Sequence, residues 1–67
     1  MDDITRGAKL KDYRQRHGHS IAKAARSCEV GERAWRRWEQ GQVALPMTAI
    51  KCYHLANGET FVREDWE

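Results

Sequence analysis

The stretch from Ser20 to Gly41, SIAKAARSCEVGERAWRRWEQG, constrains this chain more than any other. It holds two short helical patterns separated by a turn of a few residues, and the second pattern is two-sided. At ~100° per residue, Glu32, Arg33, Arg36, Arg37 and Gln40 fall within one arc, while Ala34, Trp35 and Trp38 fall on the opposite arc. Such a helix buries its tryptophans against protein and offers a guanidinium-rich face to an anionic partner. The helix before it fits this arrangement. Its inward positions Ala22, Ala24, Ala25 and Cys28 are small, as a close-packed core requires opposite a bulky face.

The flanking segments carry clear start and stop signals. A first helix is expected from about Asp3 or Thr5 to Arg16, with an Asp or Thr as N-cap, a narrow apolar stripe at Leu10 and Tyr13, and His17-Gly18 to end it. Ser20 reads as the N-cap of helix 2. Val30 in the Glu29-Val30-Gly31 turn plugs the core, and Gly31 stands at the start of helix 3, which Gly41 ends. After the loop Gln42-Val43-Ala44-Leu45, Pro46 reads as a first-turn residue, since it has no amide hydrogen to lose there. A fourth helix then runs to about Ala56 and stops at Asn57-Gly58. Its apolar positions Ala49, Ile50, Cys52, Tyr53, Leu55 and Ala56 cover more than half the wheel, so it is expected to touch both the core and something further. The tail ETFVREDWE adds a short helix or strand at most.

The expected fold is therefore all-α, a single domain over residues 1–67 built as a small bundle of four or five helices. A chain of this size buries only ~60% of the surface its unfolded form exposes, so it needs tight packing or a partner. Charge is unevenly spread: residues 1–56 hold 11 Lys/Arg against 6 Asp/Glu, whereas residues 57–67 hold Arg63 against Glu59, Glu64, Asp65 and Glu67. The body is basic and the tail acidic. No apolar run approaches the ~20 residues of a membrane span, and MDDITRGAKL lacks the pattern of a secretion signal. A cytoplasmic location is expected, with no membrane partner.

Cys28 and Cys52 sit at apolar-periodic positions with no C-x-x-C spacing and no metal-ligand spacing to His17, His19 or His54. They read as two reduced core thiols, and no metal or other cofactor is expected. The histidines have no partners at catalytic spacing, and the sequence supplies no clustered acid, base and nucleophile, so the expectation is that the chain is not an enzyme.

Two helices joined by a tight turn, the second with a basic outer face, form the layout of a helix-turn-helix. Leu10-x-x-Tyr13-Arg14, Gly18-x-Ser20, Ala25, Val30, Trp38-Glu39-x-Gly41 and Pro46 together resemble the lambda-repressor-like (Cro/cI, or XRE) helix-turn-helix family over roughly residues 8–57. Within that family the run GERAWRRWEQGQVALP looks most like the small phage-borne regulators called anti-CRISPR-associated proteins. The resemblance implies that Glu32, Arg33 and Arg37 face base edges, with Arg36 at a base or a phosphate. Ser20, Lys23, Gln40 and Gln42 correspond to the rim that grips phosphates. Arg14 and Glu39 correspond to a partly buried ion pair between helices 1 and 3. Arginine suits guanine because its fork donates to O6 and N7 together; Glu32 either accepts from a cytosine amine or orients Arg36 one turn away. Three positions depart from the family pattern: Glu29 stands at the usual turn glycine, Ile21 at a frequent glutamine, and His19 at an apolar position.

The function expected is a sequence-specific double-stranded DNA-binding regulator, most simply a dimeric repressor that inserts helix 3 into the major groove of an inverted-repeat operator, without a small-molecule ligand. Helix 4 and the tail, through Tyr53, Phe61, Val62 and Trp66, are the expected dimerisation surface. The competing expectation is a protein-interaction module, such as the antitoxin of a toxin-antitoxin pair, engaging its partner through the acidic tail or helix 4.

Overall fold

The computed structural model describes residues 1–67 and is all-helical: α1 (Asp3–Arg16), α2 (Ile21–Ser27), α3 (Glu32–Glu39) and α4 (Met47–Ala56), followed by a 3₁₀ turn at Arg63–Trp66. The starts follow from side-chain caps. Asp2 accepts from the Thr5 amide at 2.7 Å, a bond that holds its carboxyl below the ordinary range. Ser20 Oγ accepts from the Lys23 amide at 3.1 Å, and in each case the side chain satisfies an amide the helix cannot. Pro46 is the N-cap of α4 and not its first residue; its extended backbone leaves its carbonyl to accept from the Ala49 and Ile50 amides.

All four helices stop the same way. The residue after the C-cap is left-handed, and paired amide bonds run back into the last turn: Gly18 and His19 donate to Gln15 and Arg14, Glu29 and Val30 to Arg26 and Ala25, Gly41 and Gln42 to Trp38 and Arg37, and Gly58 and Glu59 to Leu55 and His54. Three of these positions are glycine. The fourth, Glu29 at φ 56°, is the one non-glycine residue with positive φ, and a side chain there costs ~1–2 kcal/mol. That strain lies in the turn between α2 and α3, as its departure from the family pattern implied.

The core comprises Leu10, Ala24, Ala25, Trp35, Trp38, Leu45, Ile50, Tyr53 and Trp66. Trp35 lies edge-on to Tyr53 at 5.0 Å between ring centroids and tilts against Trp38 at 5.8 Å. Ala24 and Ala25 make room for them from α2. On the other side α1 comes unusually close to the end of α3: a Cβ on Gly7 would lie 2.2 Å from the Trp38 carbonyl oxygen and 2.9 Å from that of Glu39. A glycine in mid-helix, normally a weakness, is what lets the two backbones meet.

The tail folds back as part of this same core. Trp66 is 2% exposed. The Arg6 Nε donates to the Trp66 carbonyl at 2.9 Å, Lys9 Nζ donates to the Asp65 carbonyl and sits over the Trp66 ring, and the N-terminal ammonium donates to the Glu67 carbonyl. The tail's carbonyls thus meet the N-terminal ammonium and two cations of α1. This corrects the expected dimerisation set. Tyr53 is fully buried between Trp35, Tyr13 and His19, and Trp66 lies beside Tyr13 and His54, so neither is on a surface that a partner could share. Phe61 is half-buried against His54, and Val62 alone of the four is exposed. The thiols also need correction. Cys28 is half-buried, and burial pushes it up to about 11, but Cys52 is exposed because it lies on the outer face of α4.

Candidate nucleic-acid interface

The position of α3 is set by one carboxylate. Glu39, at the last turn of α3, reaches across to α1: Arg14 Nε donates to its Oε2 at 2.6 Å and Arg14 Nη2 to its Oε1 at 3.1 Å. The Trp35 indole N–H, one turn back on α3, donates to the same Oε2 at 2.6 Å. The side chains are 10% and 5% exposed for Arg14 and Glu39. Arg14 spends its remaining reach on the His19 carbonyl at 2.9 Å, which ties the α1–α2 loop to the same point. Hydrogen bonding to Glu39 raises the Arg14 pKa and keeps the guanidinium charged against the effect of burial.

With α3 held this way, Trp35 and Trp38 face inward, while Glu32, Arg33, Arg36, Arg37 and Gln40 are all exposed. The exposed arginines elsewhere on the molecule differ: Arg16 pairs with Asp12 at 2.9 Å and Arg63 with Glu67 at 3.0 Å. Lys23 and Arg26 on α2, with Arg33, Arg36 and Arg37 on α3, form no ion pair and no side-chain hydrogen bond. Glu32 does not pair with Arg36 either, so its carboxylate is free. Five cations without an ion pair therefore lie on α2 and α3. Arg33 and Arg37 stand one turn apart, close enough to enter the same groove of a duplex.

The rim residues are placed as follows. Ser20, Lys23, Gln40 and Gln42 are exposed. Ser20 Oγ is already an acceptor in the α2 cap and the Gln42 backbone N–H is used in the α3 stop, which leaves the Ser20 hydroxyl hydrogen and the Gln42 side-chain amide to offer outward. A hollow of about 260 Å³ opens between these elements, lined by Lys11, Arg14, Ile21, Arg36, Glu39 and Gln40. Lys11 was not distinguished in the sequence from other solvated α1 cations, because its neighbourhood depends on how α1 crosses α3.

The histidines serve the scaffold. His54 is buried, stacked on Tyr13 at 4.4 Å, with its Nδ1 2.9 Å from the Ile50 carbonyl. His19 Nδ1 lies 2.8 Å from the Tyr53 hydroxyl, and burial, then Lys23 and His17, pull its pKa down. His17 Nδ1 lies 2.9 Å from the Tyr13 carbonyl and Nε2 2.5 Å from Glu59 Oε1; the first contact and then the second raise it. The Tyr13 hydroxyl donates to the same Glu59 oxygen at 2.5 Å, and burial with that carboxylate holds its proton well beyond the ordinary range. Glu59 is held below its usual value by these two bonds, so the acidic tail is fastened at its start as well as at Trp66.

No helix is long and apolar enough to cross a membrane. A family model described as a helix-turn-helix domain matches residues 7–66. No curated protein and no solved structure matches the chain. The match extends from Gly7, where α1 meets α3, to Trp66, the last core residue, and so takes in the tail as well as the two central helices.

Proposed function

The chain belongs to the helix-turn-helix domain family, and from that membership we propose that it is a sequence-specific double-stranded DNA-binding regulator of transcription, acting in the cytoplasm as a dimeric repressor. The observation that carries this reading is the row of unpaired cations on α2 and α3, set on a helix whose angle is fixed by the buried Glu39. Arg33 and Arg37 read base edges in the major groove, with Glu32 as an acceptor beside them. Ser20, Lys23, Gln40 and Gln42 grip the strands at the rim. The two-fold partner sits on the apolar surface that remains outside the core, where Leu55 is 60% and Val62 43% exposed. An inverted-repeat operator follows from that symmetry.

The test begins by enriching a bound duplex from a randomised library. Arg33→Ala or Arg37→Ala should each remove ~1–3 kcal/mol of discrimination at particular base pairs. Lys23→Ala should weaken all sequences alike and reduce the salt dependence. If both arginine variants keep every base preference and lose only uniform, salt-sensitive affinity, α3 is not the reader. Sedimentation should give twice the monomer mass, reduced to the monomer by Leu55→Glu.

The interaction-module reading, with a toxin as partner, would use the same outer face of α4. The acidic tail is a poorer handle for it, since Glu59 and the Asp65–Glu67 carbonyls are engaged within the domain.

A further inference from the structure

We propose that the hollow between α1 and α3 receives one phosphate of the DNA backbone between Lys11 and Arg36, so that Arg36 grips the strand and does not read a base. The proposal rests on the DNA-binding reading above and extends the interface to α1.

Three observations support it. The hollow is lined by three cations, one carboxylate, one amide and a single aliphatic side chain, Lys11, Arg14, Arg36, Glu39, Gln40 and Ile21. Within it the charges do not balance. Both Glu39 oxygens are occupied by Arg14 and the Trp35 indole, and Arg14 and Glu39 neutralise one another. Lys11 and Arg36 are left exposed, uncompensated and on opposite elements of the same opening. A phosphodiester presents two non-bridging oxygens that share its single negative charge, and two cations on facing walls can hold one each while Gln40 donates from the mouth.

The second observation is angular. At ~100° per residue Arg36 stands about 60° from Arg33 and about 100° from Arg37 around α3. Arg36 borders the hollow with residues of α1 and α2, whereas Arg33 and Arg37 do not line it. The third is continuity: Gln40 belongs both to the hollow and to the rim of the α2–α3 face, and Ile21, which lines the hollow, directly follows the rim residue Ser20. A strand running along that rim passes over the opening. The remaining hollows lack this character. One lies at the α2–α3 turn and contains Glu29 and Glu32 beside its single cation Arg26, and the other, at Cys28, Trp38 and Cys52, carries no charged side chain.

The experiment compares the unaltered protein with Lys11→Gln, Arg36→Gln and the double variant, on the enriched duplex, on its single-base-pair variants and on a duplex of arbitrary sequence, across a salt series. Both side chains are exposed and unpaired, so the variants should melt as the parent does. The expected result is that the double variant binds every duplex more weakly by the same factor, and that its slope of log affinity against log salt falls by about 0.9, the value for one lost phosphate. An unchanged slope overturns the proposal, as does a fall near twice that size, which would put the two side chains on separate phosphates. So does a relaxed preference at one base pair in Arg36→Gln, which would make Arg36 a reader. If the unaltered protein binds no duplex, the DNA-binding reading itself falls. If it binds with sequence preference and the double variant behaves like the parent, the phosphate site alone falls.

Discussion

Replacing Glu39 by alanine removes the acceptor for three donors at once: Arg14 Nε, Arg14 Nη2 and the Trp35 indole N–H. Removing one partner from a buried ion pair costs ~3–5 kcal/mol, because the other charge is left without compensation. Two features adjust that figure here. Arg14 keeps its bond to the His19 carbonyl and borders an open hollow through which water can reach it, which moves its share to the low end of the range. The indole loses its acceptor inside a fully buried side chain, which costs ~1–3 kcal/mol if nothing replaces it. The two losses overlap, since water reaching the vacated space serves both, and the expected sum is about 3–4 kcal/mol. Each kcal/mol lowers the melting temperature of a domain this size by ~4–8 °C, so the midpoint should fall by at least ~12 °C. Thermal and urea melts of Glu39→Ala, Arg14→Ala and the double variant form the cycle, and their coupling should exceed ~2 kcal/mol. Strictly additive losses, or a single-variant loss below ~1 kcal/mol, would refute the account of α3 as a helix positioned by this carboxylate.

Gly7→Ala should destabilise by ~1–3 kcal/mol, because the new methyl group meets the Trp38 carbonyl; alanine is otherwise favoured over glycine in a helix by ~1 kcal/mol, so the sign of the change in a melt decides the matter. Glu29→Gly should raise stability by ~0.5–1 kcal/mol by relieving the left-handed strain, less the entropy glycine loses on folding; a loss would mean that Glu29 makes a contribution beyond backbone geometry. The tail clasp should depend on pH in two opposed ways. His17 is raised, so its stabilisation is complete below about pH 6.5 and disappears as pH climbs through its folded value, whereas Glu59 is lowered, so its stabilisation is present above about pH 4.5 and disappears as pH falls through its folded value. The difference in melting temperature between the parent and His17→Gln should therefore be largest between these limits, and a difference that does not vary with pH would count against the clasp.

Much of the helical framework was legible because local chemistry decides it. Ser20, Gly31, Gly41 and Asn57-Gly58 mark boundaries through caps that involve only neighbouring residues, and the two-sided pattern of α3 is periodic enough to orient Trp35, Trp38 and the arginines. The Arg14–Glu39 pair was accessible through the resemblance, since nothing in the spacing of two residues 25 apart predicts contact. What escaped notice depends on distant segments. Leu45 looks like loop and Trp66 like the end of a polar tail, yet both are core, and Trp66 is covered by Tyr13 of α1 and His54 of α4. Tyr53 reads as an interface residue because an apolar wheel does not say which of its faces the same chain will use. Gly7 gave no signal of its own, as a close backbone approach is visible only once α1 and α3 are in place. Cys52 shows the converse error, an apolar residue type at a periodic position that the fold leaves outside.

The return of the tail onto α1 also bears on the order in which the domain assembles. Arg6 and Trp66 are 60 positions apart, Lys9 and Asp65 56, and Tyr13 and Glu59 46, whereas the α2–α3 turn is closed by contacts within a few residues. Closing a long loop costs more chain entropy than closing a short one, and the cost falls when intervening segments have already condensed. The α2–α3 pair and its crossing with α1 are therefore expected to form before Trp66 inserts. Until then Tyr13 and His54 lack the ring that covers them. On that order the basic outer face of α2 and α3 is formed before Trp66 closes the interior.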